Sequence, residues 1–478
     1  MNDVFTETDL NRPPETLRKV HVMGVCGTAM AALAGMLKEV GLEVTGSDQA
    51  AYPPMSLFLE KLGITVRSGY GAENLDPDLD LAIVGNVIRR DNPEAVEMRR
   101  RGLPFLSLPQ ALSRFFIRDK RSIVVTGTHG KTTTSAMAAW MLEHAGLHPG
   151  FMIGGISSDF GSNYQVGKGD FFVTEGDEYD TAYFDKGPKF LHYKPELLIV
   201  NNIEFDHADI YRDLDHIKSN FRLLLNLLPE QGLLIANHQD PAVRSLFPYA
   251  KSRIETFSMG GEGNWAAEVS GFDNGFMAFD VRRDGARYGR FHLPMVGEHN
   301  VRNALAVLAL GHAIGLDPET MKEALRTFKG VRRRQEIRGI KKGVIVMDDF
   351  AHHPTEVRET VRAVRSAYPE RRLVSVFEPR TNTSRRDVFQ AIYPQSFEGS
   401  DLILIREPPD LKKVVEGERF SSRRLVEDLK TNGKQAYYFP DTDAILEYLR
   451  ETCREGDLVL IMSNGGFDGI HGRLLELL

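Results

Sequence analysis

The residues best placed to do chemistry are Gly127-Thr128-His129-Gly130-Lys131-Thr132-Thr133. A β-branched run over 122–125 leads into them, and an Ala/Met-rich helical pattern running to Ala145 leads out. A glycine-rich turn that opens a helix points backbone N–H groups outward and forms a cradle for anions. A lysine at its end reaches terminal phosphates, and the next threonine hydroxyl can hold Mg²⁺. The strict phosphate loop has a glycine five residues before its second glycine; Val125 stands there, so this loop is a shortened variant. The bland alternative is an exposed lysine in a plain turn, which leaves the apolar strand before and the helix after unaccounted for.

Acids and histidines gather after other apolar runs. Glu175 follows 171–173, at the strand edge where doubly wound sheets bind ligands. A carboxylate there suits Mg²⁺, a hard ion. Asp177, Glu178 and Asp180 read as a solvated acidic loop. Asn201-Asn-Ile-Glu-Phe-Asp-His207 follows 197–200; imidazole prefers softer ions than Mg²⁺, so the residue types alone leave His207 undecided. His352-His353 follows Asp348-Asp349, and adjacent histidines point apart, which argues against a two-histidine metal site. Gly297-Glu-His299-Asn300 opens a helix that also carries Asn303; Asn300 can cap it, and His299 can stack on a planar base. Arg332-Arg333-Arg334 reads as a solvated basic linker. Glu378-Pro-Arg380-Thr-Asn382-Thr-Ser-Arg385-Arg386 could grip an acidic substrate, because arginine pairs bidentately with carboxylates.

A weaker signal lies near the N-terminus. Gly24-Val-Cys26-Gly27 follows a buried-strand pattern over 19–25 but breaks G-x-G-x-x-G, with Cys26 and Ala29 at the later glycine places. A tight turn and a ligand loop are both open. Gly46-Ser47-Asp48 follows the next short strand, where an acid commonly accepts a ribose hydroxyl. Asn86 follows the apolar run 79–84.

These sites need strands alternating with helices, the mark of an α/β parallel sheet. At ~150 residues per domain, 478 residues suggest about three. The pattern divides into 1–118, 119–331 and 332–478, with third-unit strands over 344–347, 373–377, 402–405, 436–439 and 458–462. Hydrophobic content of 42 % permits large cores. A net charge of −7 argues against a nucleic-acid-coating protein. Two cysteines, Cys26 and Cys453, give no disulfide framework. No apolar run approaches the ~18 residues that span a bilayer, and 1–20 lacks the look of a signal peptide. The expected location is the cytoplasm, with no membrane contact and no obligate protein partner evident.

Taken in order, these motifs resemble the Mur ligase family, ATP-dependent amide-forming enzymes of cell-wall synthesis, over nearly the whole chain. Asp348-Asp-Phe-Ala-His-His-Pro-Thr-Glu356 looks like the branch acting on UDP-N-acetylmuramate. Gly24-Val-Cys-Gly-Thr28, Tyr52-Pro-Pro-Met-Ser56, the segment from Asp177 to Tyr193, and Met462-Ser-Asn-Gly-Gly-Phe-Asp-Gly-Ile-His471 look like its tripeptide-adding members rather than its alanine-adding ones. Those members usually carry Ala where Gly176 stands.

The resemblance implies a Rossmann-like domain over 1–118 binding UDP-N-acetylmuramate, a central P-loop ATPase domain over 119–331 with a mixed, largely parallel sheet, and a Rossmann-like domain over 332–478 receiving the murein tripeptide. It implies ATP and Mg²⁺ as cofactors. Lys131, Glu175 and His207 are then catalytic, and Thr132, Glu175 and His207 hold metal. ATP lies along Gly127–Thr133, with His299 and Asn303 at the adenine, Arg334 reaching in from the linker and Asp349 near the ribose. Gly24, Cys26, Gly27, Thr28, Met30, Ser47, Asp48 and Asn86 hold the UDP-sugar. His353, Arg380 and Asn382 face the peptide. Hinges are expected near 116–121 and 330–334, so that closure can protect an acyl phosphate from water. The alternatives are alanine addition, a P-loop regulatory ATPase, and an NAD-dependent dehydrogenase weakened by the broken glycine pattern.

Overall fold

The computed structural model describes residues 11–50, 55–411 and 414–478, so the first ten residues and Tyr52-Pro-Pro54 lie outside the description. Three sheets follow one another along the chain. The first holds β1 (Lys19–Met23), β2 (Glu43–Asp48), β3 (Thr65–Ser68), β4 (Leu81–Val84) and β5 (Phe105–Ser107). Its order is β3-β2-β1-β4-β5, all parallel. β4 is buried at every position, as expected for a strand covered on both faces. Helix α1 (Thr28–Glu39) returns over it on a run of Ala, Leu and Met, Met30 to Leu37, that is buried throughout.

The second sheet begins with β6 (Arg121–Thr126), β7 (Gly150–Ser157), β8 (Ser162–Gln165) and β9 (Phe171–Gly176). A separate hairpin, β10 (Asp180–Ala182) and β11 (Asp185–Pro188), interrupts it. It continues with β12 (Leu197–Val200), β13 (Leu233–Asn237), β14 (Arg253–Met259), β15 (Trp265–Asp273), β16 (Phe276–Arg283) and β17 (Ala286–Leu293). The order is β17-β16-β15-β14-β13-β12-β6-β9-β7-β8. The centre is parallel and both ends are antiparallel. In the β16 edge hairpin Met277, Phe279 and Val281 face in and alternate with more exposed residues, the period of two that a half-covered strand requires. Helices α2 (Lys131–His144) and α3 (Glu298–Ala313) pack together in one core with the inner faces of these strands.

The third sheet holds β18 (Glu336–Lys341), β19 (Val344–Asp349), β20 (Arg372–Phe377), β21 (Leu402–Arg406), β22 (Gln435–Phe439) and β23 (Asp457–Met462), in the order β18-β19-β23-β20-β21-β22. Only β18 is antiparallel to its neighbour. The charged stretch after Arg334 therefore forms an edge strand that the apolar pattern does not signal. Helix α4 (Pro354–Ala367) follows β19 directly.

In each sheet the strand order reverses beside a loop named above: after β1, after β6 and around β19 and β23. Such switch points leave a crevice at the carboxyl ends of strands. Two expectations shift. Glu175 is the penultimate residue of β9 rather than a loop residue beyond it, and β1 ends at Met23, leaving Gly24 and Val25 in the turn. Among the described residues no helix is long and apolar enough to cross a membrane.

Gly176 ends β9 against β6. A Cβ there would lie 2.7 Å from Val124 Cγ1 and 3.0 Å from Thr126 Cβ, both on stiff β-branched side chains. Gly176→Ala is expected to destabilise the protein by about 1–3 kcal/mol through overpacking, read as a lower urea midpoint with an unchanged slope.

Candidate active site

The phosphate loop runs from the end of β6 into α2. Gly130 sits at its close with φ 81°, left-handed backbone that glycine adopts freely. A Cβ there would stand 2.7 Å from Asn303 Oδ1. The loop is tied to the residue after β12: Thr128 N–H donates to Asn202 O at 3.1 Å and His129 N–H to Asn202 Oδ1 at 2.7 Å. Lys131 Nζ curls back to the carbonyl oxygen of Gly127 at 2.6 Å and pairs with Glu178 Oε2 at 2.9 Å. Burial works against the Lys131 charge, but Glu178, Asp177 and Glu175 outweigh it and lift the ammonium pKa above its ordinary value.

Thr132 Oγ1 donates to Glu175 Oε2 at 3.1 Å, and the other Glu175 oxygen accepts from Gly154 N–H. Burial raises the Glu175 pKa. His207, at φ 54°, places Nε2 3.8 Å from Glu178 Oε1. One buried carboxylate therefore stands between Lys131 and His207. The acidic loop is not solvated as its composition suggested: Glu178 is 3 % exposed, and Asp177 pairs with Lys189 at 2.6 Å.

Beside the loop lies a cleft of about 400 Å³ between the second and third sheets. His129, Gly130 and Thr133 form its floor, His299 and Asn303 one wall, and Arg334 and Asp349 the other. Gly127, Thr128, Lys131 and Thr132 lie off this lining. Burial depresses the His299 pKa to about 4, so its ring is neutral at neutral pH. Asn300 does not cap α3: Gly297 holds that place, and Asn300 Nδ2 donates to Val296 O at 2.8 Å. The arginine stretch is no solvated linker either. Arg333, at φ 62°, donates to Ser463 O and Gly465 O at 2.6 Å, and Arg334 lies 4.9 Å over the Phe350 ring. Asp349 accepts from Gln335 N–H at 2.9 Å and Ala351 N–H at 2.8 Å. Burial nonetheless lifts its pKa to about 6.

At the first sheet, Gly24 and Val25 N–H donate to Ser47 O at 2.8 and 3.0 Å, and Cys26 N–H donates to Asp48 Oδ2 at 2.9 Å. Gly27 and Thr28 are exposed at the start of α1, while Met30 is buried beneath them. Ser47 is fully buried and its hydroxyl donates to Glu94 Oε2 at 2.6 Å, so its side chain braces the turn rather than facing an open site. Asn86 Nδ2 donates to Asp180 O at 2.9 Å, and Tyr183 OH accepts from Arg99 at 2.8 Å, which docks the β10–β11 hairpin on the first unit. In the third unit His353 caps α4, accepting from Thr355 N–H at 3.2 Å. Arg380 is partly exposed, 3.6 Å from Glu378 Oε1, and Asn382 Nδ2 donates to Asp209 of the second unit at 3.3 Å.

Three family models match in succession: the Mur ligase family catalytic domain over 19–120, the Mur ligase middle domain over 125–311 and the Mur ligase glutamate ligase domain over 332–465. The chain belongs to the Mur ligase family. It is 39 % identical, over 96 % of its length and 98 % of the relative's, to the UDP-N-acetylmuramate--L-alanyl-γ-D-glutamyl-meso-2,6-diaminoheptandioate ligase of Escherichia coli K12. It is 35 % identical to the UDP-N-acetylmuramate--L-alanine ligase of Acetivibrio thermocellus, over 95 % of this chain and 94 % of that one. Among solved structures it resembles the UDP-N-acetylmuramate:L-alanyl-γ-D-glutamyl-meso-diaminopimelate ligase from Neisseria meningitides, with 42 % identity, a TM-score of 0.62, and coverage of 66 % of this chain and all of that one.

Three elements of this Mur ligase escape motif reading. Glu178 stands in an acid-rich run that gives no sign of which acid turns inward. Glu94 accepts from Ser47 and from Asn74 Nδ2 at 2.6 Å, yet its sequence is an ordinary charged helix start. Glu204 and Thr355, bonded at 2.7 Å across two units, are 151 residues apart.

Glu178→Gln removes one partner of a buried pair and leaves Lys131 charged beside a neutral amide. It should destabilise the nucleotide-free protein by about 3–5 kcal/mol, measured by chemical unfolding. Asp349 gives a pH signature. Its folded pKa is raised, so its contribution to stability is complete below an ordinary value near 4 and is lost as pH rises through about 6. At ~1.36 kcal/mol per unit, the stability of native protein relative to Asp349→Asn should fall by about 3 kcal/mol across that window. Parallel urea titrations at stepped pH measure it, and a flat difference would refute the buried ionisation.

Proposed function

We propose that this Mur ligase uses ATP to join UDP-N-acetylmuramate to L-alanyl-γ-D-glutamyl-meso-2,6-diaminopimelate, returning wall peptide to the precursor pool in the cytoplasm. The observation that carries the reaction class is the Lys131–Glu178 pair beside Thr132–Glu175 at the end of the phosphate loop. The tripeptide as amine donor rests on identity to the tripeptide ligase, 39 % against 35 % for the alanine ligase.

A carboxylate is a poor electrophile, so the lactyl carboxylate must first be activated. Its oxygen attacks the γ-phosphorus of ATP, ADP leaves, and an acyl phosphate remains. The peptide amine then attacks the acyl carbon, loses a proton, and phosphate departs. Lys131 supplies positive charge where the transferring oxygens gain negative charge; to do so it exchanges Glu178 for phosphate oxygens. Thr132 Oγ1 and the Glu175 carboxylate fit a hard cation, and Glu178 offers His207 the oxygen partner that an imidazole lacks. One Mg²⁺ held by Thr132 and Glu175 and a second held by His207 would neutralise phosphate charge.

His299, neutral and at the wall of the cleft, stacks on the adenine beside Asn303, with Arg334 reaching the phosphates and Asp349 the ribose. The exposed start of α1 at Gly27 and Thr28, beside Gly24 and Cys26, receives the UDP moiety at the helix N-terminus, with Asp48 and Asn86 flanking it. His353, Arg380 and Asn382 receive the peptide; the Arg380 guanidinium suits its carboxylates. Gly330, Arg333 and Gln335, with φ values of 81°, 62° and 54°, form the bend between the second and third units and are the hinge for closure.

Phosphate release from ATP is measured with Mg²⁺, UDP-N-acetylmuramate and either the tripeptide or L-alanine. Release with the tripeptide and not with alanine is expected. Release with alanine alone would assign the biosynthetic alanine-adding step. Release with neither amine, or release that does not need the UDP-sugar, would leave a P-loop ATPase.

A further inference from the structure

A second cluster of ligand-type side chains lies at the junction of the second and third units, separate from Thr132, Glu175 and His207. His129 comes from the phosphate loop, Glu204 from the segment after β12, and His353 from the N-cap of α4. One ligand atom from each lies within 4.8 Å of the others. His129 Nε2 is 3.5 Å and His353 Nδ1 3.7 Å from Glu204 Oε2, and the two rings are 4.5 Å apart. Nε2 of both histidines is buried without a hydrogen-bond partner among the described residues. Buried polar nitrogen is rarely left so. On the far side of His129, Glu356 Oε1 lies 3.4 Å from Nδ1. That is the carboxylate–histidine arrangement that orients a metal-binding imidazole. Thr355 Oγ1 donates to Glu204 at 2.7 Å and fixes its carboxylate.

We propose that His129, Glu204 and His353 form a site for a zinc-class transition-metal ion that ties the phosphate loop to the third unit. Two imidazoles and a carboxylate suit Zn²⁺ or Co²⁺ and leave a fourth position open, whereas Mg²⁺ favours oxygen alone. The triangle must contract to edges of roughly 3.4 Å to accept bonds of ~2.1 Å, and His353 Nδ1 must exchange the Thr355 N–H that it accepts for the ion. The ion spans residues on both sides of the cleft, so its binding and any opening of the two units exclude each other.

The full chain, free of nucleotide, is titrated with Co²⁺ in excess Mg²⁺, and the visible absorption of four-coordinate cobalt is followed. One ion per chain is expected, displaced by Zn²⁺. Glu204→Gln and His353→Gln should each weaken binding at least tenfold, and Glu356→Gln about tenfold. His207→Gln should leave it unchanged. Circular dichroism and melting curves check each variant's fold; if one variant fails to fold, the other carries the test. No four-coordinate band, a band that persists in both Glu204→Gln and His353→Gln, or a band lost in His207→Gln would each overturn the site.

Discussion

The buried charge of Lys131 is the constraint on which the centre of this molecule is organised. An ammonium removed from water is costly unless opposed by a carboxylate held close. Glu178 supplies it at 2.9 Å, with Asp177 and Glu175 adding to the field. Because Glu178 also faces His207, the chain after β9 and the chain after β12 are bound to the phosphate loop by one side chain. Its backbone carbonyl accepts from Tyr211 OH at 2.6 Å, so the acid is anchored at both ends.

The three sheets make such a site possible because each reverses its strand order beside a functional loop. A reversal parts the helices that cover adjacent strands and opens a crevice at their carboxyl ends. The first unit keeps its crevice shaped from below: fully buried Glu94, Ser47 and His21 join β1 and β2 under the glycine turn, while Cys26 and Asp48 are joined above. The turn is thus rigid although its sequence breaks the dinucleotide pattern. The β10–β11 hairpin extends from the central unit onto the first, where Phe184 meets Phe105 edge to face at 4.7 Å.

Charged side chains cross between the second and third units. Glu204 and Glu356 flank His129 and, against the effect of burial, raise its pKa to about 10, while His353 beside it is pushed down to about 4. Arg333 reaches from the bend to Ser463 and Gly465 after β23. Polar contacts of this kind can be exchanged for water or ligand with little loss.

Local patterning was enough to read the alternation of strand and helix and the three-domain α/β architecture. Apolar runs buried on both faces, and glycines at turns, act through nearest neighbours and are written directly in the chain. The loop Gly127–Thr133 and the walls formed by His299, Asn303, Arg334 and Asp349 were named from motif and resemblance, and the last four do line one cleft. Which acid of Asp177, Glu178 and Asp180 turns inward was decided only when β9, β12 and the loop came together, because burial depends on what packs from elsewhere. The same holds for Arg333, for Asn300 and for Glu204: an arginine in a basic run or an asparagine at a helix start has the same local sequence whether it is solvated or held. Charge and hydrogen-bond partners lie 151 and 173 residues away in two such cases, and distances of that kind exist only in the folded chain.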